Sequence, residues 1–271
     1  MKRVLTALVL APPLWALVRF GPGWAFSLLI AVAIIVGLSE AYTILAARGA
    51  RPFRGLGVVC SVAVAATFEA SLALDFSVAL PLTLGTISIA IAAMAARDDP
   101  AAMLDAIQAT LLPVLLVGLT MAHLIGLRSM GDEVGRDLVF LLFMCVMVAD
   151  TAAYYVGSAL GRRKMAPRLS PKKTWEGAIA AILASVGAAA LARVWFYPEL
   201  PLQHALVLGA LLGPAGIIGD LAESVLKRAG GVKDSGHLLP GHGGVLDRMD
   251  SLLVAAPVLY YYSMTFLRGT S

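Results

Sequence analysis

Nine apolar runs of membrane-spanning length follow one another along this chain, at roughly 4–20, 24–47, 56–74, 76–96, 103–127, 137–158, 176–196, 204–226 and 250–267. A spanning helix needs about 20 largely apolar residues. A backbone in lipid must satisfy its own hydrogen bonds, and the helix does this within one segment. Composition agrees: 59% of residues are hydrophobic, 14% are charged and the mean hydropathy is +0.85. A soluble fold normally carries about a quarter charged residues. The expected fold class is therefore all-α, a polytopic integral membrane protein with about nine transmembrane helices. The basic start MKRVLTALVLAPPLWALV resembles a signal peptide. No small-x-small cleavage site closes it and further runs follow at once, so it is read as the first helix.

Turn chemistry separates the runs, at Gly21-Pro22-Gly23, at Asp75, and at Pro198 with Pro201. There is no internal repeat, low-complexity tract or separate soluble domain. Cys60 and Cys145 both fall in apolar runs and read as small buried side chains, not as a disulfide or a zinc site. Placing the N-terminus in the cytoplasm puts all 21 lysines and arginines on that side except Arg19, Arg128, Arg136, Arg193 and Arg268. This is the positive-inside asymmetry expected of a cell-membrane protein. The same asymmetry accounts for the net charge of +4, so no nucleic-acid partner is implied.

Three segments break the apolar pattern beyond what orientation requires, and all three face the cytoplasm in this topology. Asp150 interrupts an apolar run, where an aspartate costs roughly 2.5–3.5 kcal/mol on insertion scales. It shares a helical face with Tyr154 and Gly157. It faces a polar cavity or an ion, or else makes an interhelical hydrogen bond. The second segment is Ser170-Pro171-Lys172-Lys173-Thr174-Trp175-Glu176-Gly177. Ser170 and Pro171 form an expected N-cap and first-turn pair. With Lys172 and Lys173, such a helix start offers a phosphate site, or a positive-inside loop on lipid headgroups.

The third segment runs from Gly219 to Asp250. On one helix Asp220, Glu223, Ser224 and Lys227 line one stripe. Lys227-Arg228-Ala229-Gly230-Gly231 ends that helix. Asp247 and Asp250, three apart, are placed to face one ion. Carboxylates with cations and glycines suit phosphate transfer. Magnesium prefers carboxylate and phosphate oxygens, lysine and arginine neutralise phosphate, and glycines let backbone amides approach it. The Walker pattern and zinc-ligand spacings are absent.

The run Ser224-x-Leu226-Lys227-Arg228-x-x-x-x-Lys233-Asp234-x-Gly236-x-x-Leu239-Pro240-x-His242-Gly243-Gly244-Val245-x-Asp247-Arg248-Met249-Asp250 resembles the signature of phosphatidate cytidylyltransferases, also called CDP-diacylglycerol synthases. The segments around Asp150 and at Ser170–Gly177 are similar to two further motifs of that family. Ala149 and Ala152 depart from the Ser and Gly often found there. The motif resemblance covers about the last half of the chain.

The resemblance implies a membrane-embedded enzyme that transfers CMP from CTP to phosphatidic acid, giving CDP-diacylglycerol and pyrophosphate. It implies magnesium, a homodimer, and a site open to cytosol and membrane lipids. The expected metal ligands are Asp220, Asp247 and Asp250, around one magnesium or a two-cation centre. Lys227 and Arg228 complete the expected catalytic set. Asp150, Ser170, Lys172, Lys173, Ser224, Lys233, His242, Gly243, Gly244 and Arg248 are the expected substrate-binding residues. Residues 101–271 would hold the catalytic helices, and residues 1–100 would pack the dimer or wall the lipid entrance. The rival readings are a CTP-dependent polyprenol kinase, which releases CDP, and an ion or metabolite transporter, in which Asp150 and Asp220 line a pathway. A CDP-alcohol phosphotransferase is disfavoured, because Asp247-x-x-Asp250 has the wrong spacing.

Overall fold

Apolar runs bounded by glycine, proline and charged residues become helices throughout the computed structural model. It describes residues 12–74, 76–236 and 243–267. The elements are α1 (Gly23–Ala47), α2 (Arg54–Ala66), α3 (Ala79–Ala96), α4 (Pro100–Arg128), α5 (Asp132–Ala159), the strands β1 (Lys164–Ala166) and β2 (Ser170–Thr174), α6 (Trp175–Trp195), α7 (Leu202–Ala229), the one-turn α8 (Leu246–Met249) and α9 (Leu252–Leu267). Six of these, α1 and α3 to α7, are long and apolar enough to cross a membrane; α2 and α9 are shorter. The chain is an all-α polytopic membrane protein. The expected first span lies outside the described residues up to position 11, and residues 12–20 are helical. Asp75, His237 and His242 also lie outside them.

Local chemistry explains where the elements start and stop. Pro22 enters α1 with extended backbone, ψ 148°. In α4, Pro100 occupies the first turn and Asp99 caps it, accepting the Ala102 N–H at 3.0 Å. Pro113 removes a backbone donor inside α4, and a π-helical stretch, Val114–Leu119, follows it. The run expected at 56–74 is α-helical only to Ala66, with a short 3-10 turn at Ala70–Leu72 beyond it. There the Thr67 hydroxyl donates to the Val64 carbonyl at 2.7 Å, and the N–H groups of Thr67, Phe68 and Glu69 turn back to carbonyls three residues earlier. That tightening ends the helix.

The chain divides into two units. The first comprises Met1–Ser129 with Leu226–Met249. Its core runs along one stripe of α1, through Phe26, Ile30, Ile34, Leu38, Tyr42 and Leu45, all buried. The Tyr42 hydroxyl donates to the Thr110 carbonyl at 3.1 Å, and the Thr110 hydroxyl accepts from the Phe53 N–H at 2.9 Å. The second unit comprises Met130–Val225 with Asp250–Ser271. Here α5 packs along α6, and Leu138, Leu142 and Cys145 of α5 and Ala181, Ala188 and Ala192 of α6 are buried. Cys60 and Cys145 are buried and unbridged. In both units large apolar side chains also point outward: Trp24 is 62% exposed and Leu183 67%. Lipid, which needs no polar surface, accounts for such faces on a spanning helix.

Candidate active site

In the second unit β1 and β2 form an antiparallel hairpin ahead of α6, with Lys164 opposite Thr174 and Ala166 opposite Ser170. This corrects the expected helix start. Thr174, not Ser170, is the N-cap of α6, and its hydroxyl accepts the Gly177 N–H at 3.2 Å. Pairing with β1 holds Ser170 and Pro171 extended, so no helix N-terminus forms there. Strand geometry then separates the two lysines, since neighbouring side chains point to opposite faces. Lys172 is exposed. Lys173 turns inward, placing its ammonium 2.8 Å from an Asp220 carboxylate oxygen and 3.4 Å from the Ile217 carbonyl.

Asp220 belongs to an acidic group. One carboxylate oxygen from each of Asp220, Glu223 and Asp250 lies within 4.8 Å of the other two. Gly219 makes this approach feasible, since a Cβ there would meet the Asp250 carbonyl. Glu223 is completely buried. The Ser224 hydroxyl donates to Asp220 at 3.4 Å, joining the stripe read from its spacing. Asp250 accepts from the Ser251 N–H at 2.7 Å, and the Ser251 hydroxyl donates to Asp150 at 3.0 Å.

Two ionised carboxylates this close would repel by about 3 kcal/mol at an effective dielectric near 20. Lys173 pairs with the Asp220 member of the group. A magnesium ion binds oxygens at about 2.1 Å in octahedral geometry, which puts ligand atoms about 3–4 Å apart. The trio, all hard oxygen donors within 4.8 Å, fits such an ion with small side-chain adjustments.

The first unit holds a different arrangement. The Asp247 carboxylate accepts from the Lys227 ammonium at 2.7 Å, the Gly244 N–H at 2.8 Å, and Ser235 through its N–H at 2.8 Å and its hydroxyl at 2.9 Å. The Lys227 and Asp247 side chains are only 12% and 8% exposed. Burial pushes the Asp247 carboxyl up, but the hydrogen bonds from Lys227, Gly244 and Ser235 together with the Lys227 charge outweigh it and hold the group at about 2.

Glu40 of α1 completes this network. It accepts from the Val245 N–H at 2.9 Å, the Leu246 N–H at 2.8 Å and the Ser235 hydroxyl at 3.0 Å. Gly244 lies against it so closely that a Cβ would overlap both Glu40 and Ser235. Gly243, beside it, adopts φ +77°.

Of the remaining sequence-derived candidates, Arg228, Lys233 and Arg248 are exposed, and the Arg228 guanidinium donates to the Val232 carbonyl at 3.1 Å. Two acids escaped selection. Glu223 was placed on the stripe with Asp220 but not among the ligands. Glu40 is the lone acid in the run 24–47 and carries the same signal of a costly intramembrane charge that singled out Asp150.

The comparisons with known proteins agree with one another. The cytidylyltransferase family matches residues 1–266. A phosphatidate cytidylyltransferase of Synechocystis sp. is 32% identical over 98% of this chain and 97% of its own length. Those of Bacillus subtilis and Brucella suis biovar 1 are 37% and 47% identical, over 57% and 50% of each chain. The chain thus spans about half the length of these last two. Polar motifs set among membrane helices, and a family match over nearly the full length, lead to one conclusion: the chain belongs to the cytidylyltransferase family.

Proposed function

We propose that this protein transfers CMP from CTP to phosphatidic acid, releasing pyrophosphate and forming CDP-diacylglycerol. The observation that carries the reading is the Asp220, Glu223 and Asp250 group with Lys173 at its edge. On this reading the group takes a divalent cation and substrate phosphate, which suits a chain of the cytidylyltransferase family. One substrate is a lipid and the other a soluble nucleotide, so both must reach the reaction at a membrane surface. The positive-inside asymmetry favours the cytoplasmic face of the cell membrane, with the N-terminus on that side. We also propose a homodimer, with the helices before residue 101 contributing to its packing or to the lipid entrance.

Phosphatidate is already an anion, so its phosphate oxygen can attack the α-phosphorus of CTP in line without a protein nucleophile. A new P–O bond forms at the α-phosphorus as its bond to the pyrophosphate oxygen breaks. Catalysis then rests on positioning and on neutralising charge. Asp220, Glu223 and Asp250 would hold magnesium, which when bound neutralises phosphate charge and orients the oxygens. Lys173 and Lys227 would take phosphate charge, with Lys172, Arg228, Lys233 and Arg248 supplying further cations to the substrates. Ser170, Ser224, Asp150, His242, Gly243 and Gly244 would shape the surroundings. Asp247 keeps Lys227 aimed; a second cation drawing on Asp247 would first have to displace Lys227.

The test is product analysis of the purified protein in detergent with magnesium, phosphatidic acid and labelled CTP. Pyrophosphate with a CMP-bearing lipid is the expected result. CDP with a phosphorylated polyprenol, when polyprenol replaces phosphatidic acid, would identify the kinase instead. No nucleotide chemistry on either lipid would overturn the enzymatic reading.

A further inference from the structure

We propose that Glu40, far from the signature in sequence, is the positioning residue that sets Asp247 and Lys227 for the reaction. The inference rests on the CMP-transfer reading for its chemistry, but its geometry stands within the first unit alone. Glu40 sits among the backbones of Ser235–Gly236 and Gly244–Leu246. A Cβ on Gly236 would come within 2.7 Å of its carboxylate, and one on Gly244 would overlap it. Only glycine lets these two segments close around the carboxylate.

The contacts form a relay. The N–H groups of Val245 and Leu246 lie at the start of α8, where a helix has no internal acceptors for them. Glu40 accepts both. The same carboxylate accepts the Ser235 hydroxyl at 3.0 Å. Ser235 and Gly244 in turn donate to Asp247, and Asp247 accepts Lys227 at 2.7 Å. The Ser235 hydroxyl has one proton for two carboxylates, Glu40 and Asp247, and it accepts the Asp247 N–H at 3.3 Å. Glu40 therefore acts through Ser235 and α8, not on a substrate. Its isolation in an otherwise apolar helix follows, because an acid in such a helix is retained only where several donors meet it.

The experiment compares Glu40→Gln, Lys227→Gln and the double variant. Glutamine replaces one acceptor oxygen by a donor, which cannot face the Val245 and Leu246 N–H groups together. We expect kcat to fall about 10- to 100-fold in Glu40→Gln, from loss of charge-assisted hydrogen bonds. The double variant should be close to Lys227→Gln alone, since residues acting as a unit are not additive. Independently of activity, amide hydrogen exchange at Gly244–Asp247 should quicken in Glu40→Gln. Ser235→Ala is the second variant should Glu40→Gln not fold, and it should give the same exchange signature more weakly. Multiplicative kinetic effects, or unchanged exchange at Gly244–Asp247, would overturn the proposal. A wild-type protein that makes no CDP-diacylglycerol would overturn the activity instead, leaving the exchange measurement to decide Glu40.

Discussion

The acidic trio of the second unit and the Asp247 network of the first use the same side-chain chemistry in opposite ways. Asp220, Glu223 and Asp250 bring carboxylate oxygens within 4.8 Å of one another, with Lys173 on one of them. Glu40 and Asp247 each face several N–H and O–H donors, and Lys227 adds a full positive charge. The first arrangement gathers hard oxygen donors at a spacing that suits a cation. The second is internally compensated and holds a lysine and a turn in place. Asp247 and Asp250 are three residues apart, yet their neighbours give them different chemistry.

The largest expected effect separates the two regions directly. Asp220→Asn should lower turnover by about 10³-fold, as removing charge stabilisation at a transferring phosphate does, and should raise the magnesium concentration giving half-maximal rate. Titrating magnesium in the CDP-diacylglycerol assay checks both. Asp247→Asn should cost about 10²-fold in turnover, through Lys227, and leave the magnesium midpoint in place. A midpoint shift as large as that of Asp220→Asn would put Asp247 among the cation ligands, as its spacing from Asp250 suggested, and would erase the contrast.

A smaller effect concerns acid stability. The folded protein holds the Asp247 carboxyl at about 2, below its ordinary 3.8. A depressed carboxyl contributes stability that is fully present above the ordinary value and lost as pH falls through the folded one. Thermal melting in detergent between about pH 4 and pH 2 should therefore drop more steeply in the wild type than in Asp247→Asn. Parallel curves would mean that the network does not hold the charge. The smallest change tests the corrected helix start. Thr174→Ala should cost about 1 kcal/mol through its lost cap, read as a lower melting temperature, whereas Ser170→Ala should cost little.

The fold class was legible because membrane insertion acts on composition over about 20 residues, a property that needs no tertiary partner. The acids were legible where a costly charge interrupts an apolar run or a long signature repeats a known pattern. Glu40 met the first criterion and was passed over, since it lies outside the signature. Ser170 was misplaced because Ser-Pro is good helix-start chemistry locally, and only pairing with β1 keeps it extended.

The residues alone settled that this chain lives in lipid, that it is helical, and which polar motifs interrupt the apolar pattern. Tertiary structure decided which carboxylate meets which partner. Glu40 accepts a backbone donor 205 residues away, and Lys173 faces Asp220 through the alternation of a strand whose pairing the local sequence does not announce. Hydrophobicity is additive along a chain and can be read from it. A hydrogen bond depends on distance and angle between groups that only the folded backbone brings together.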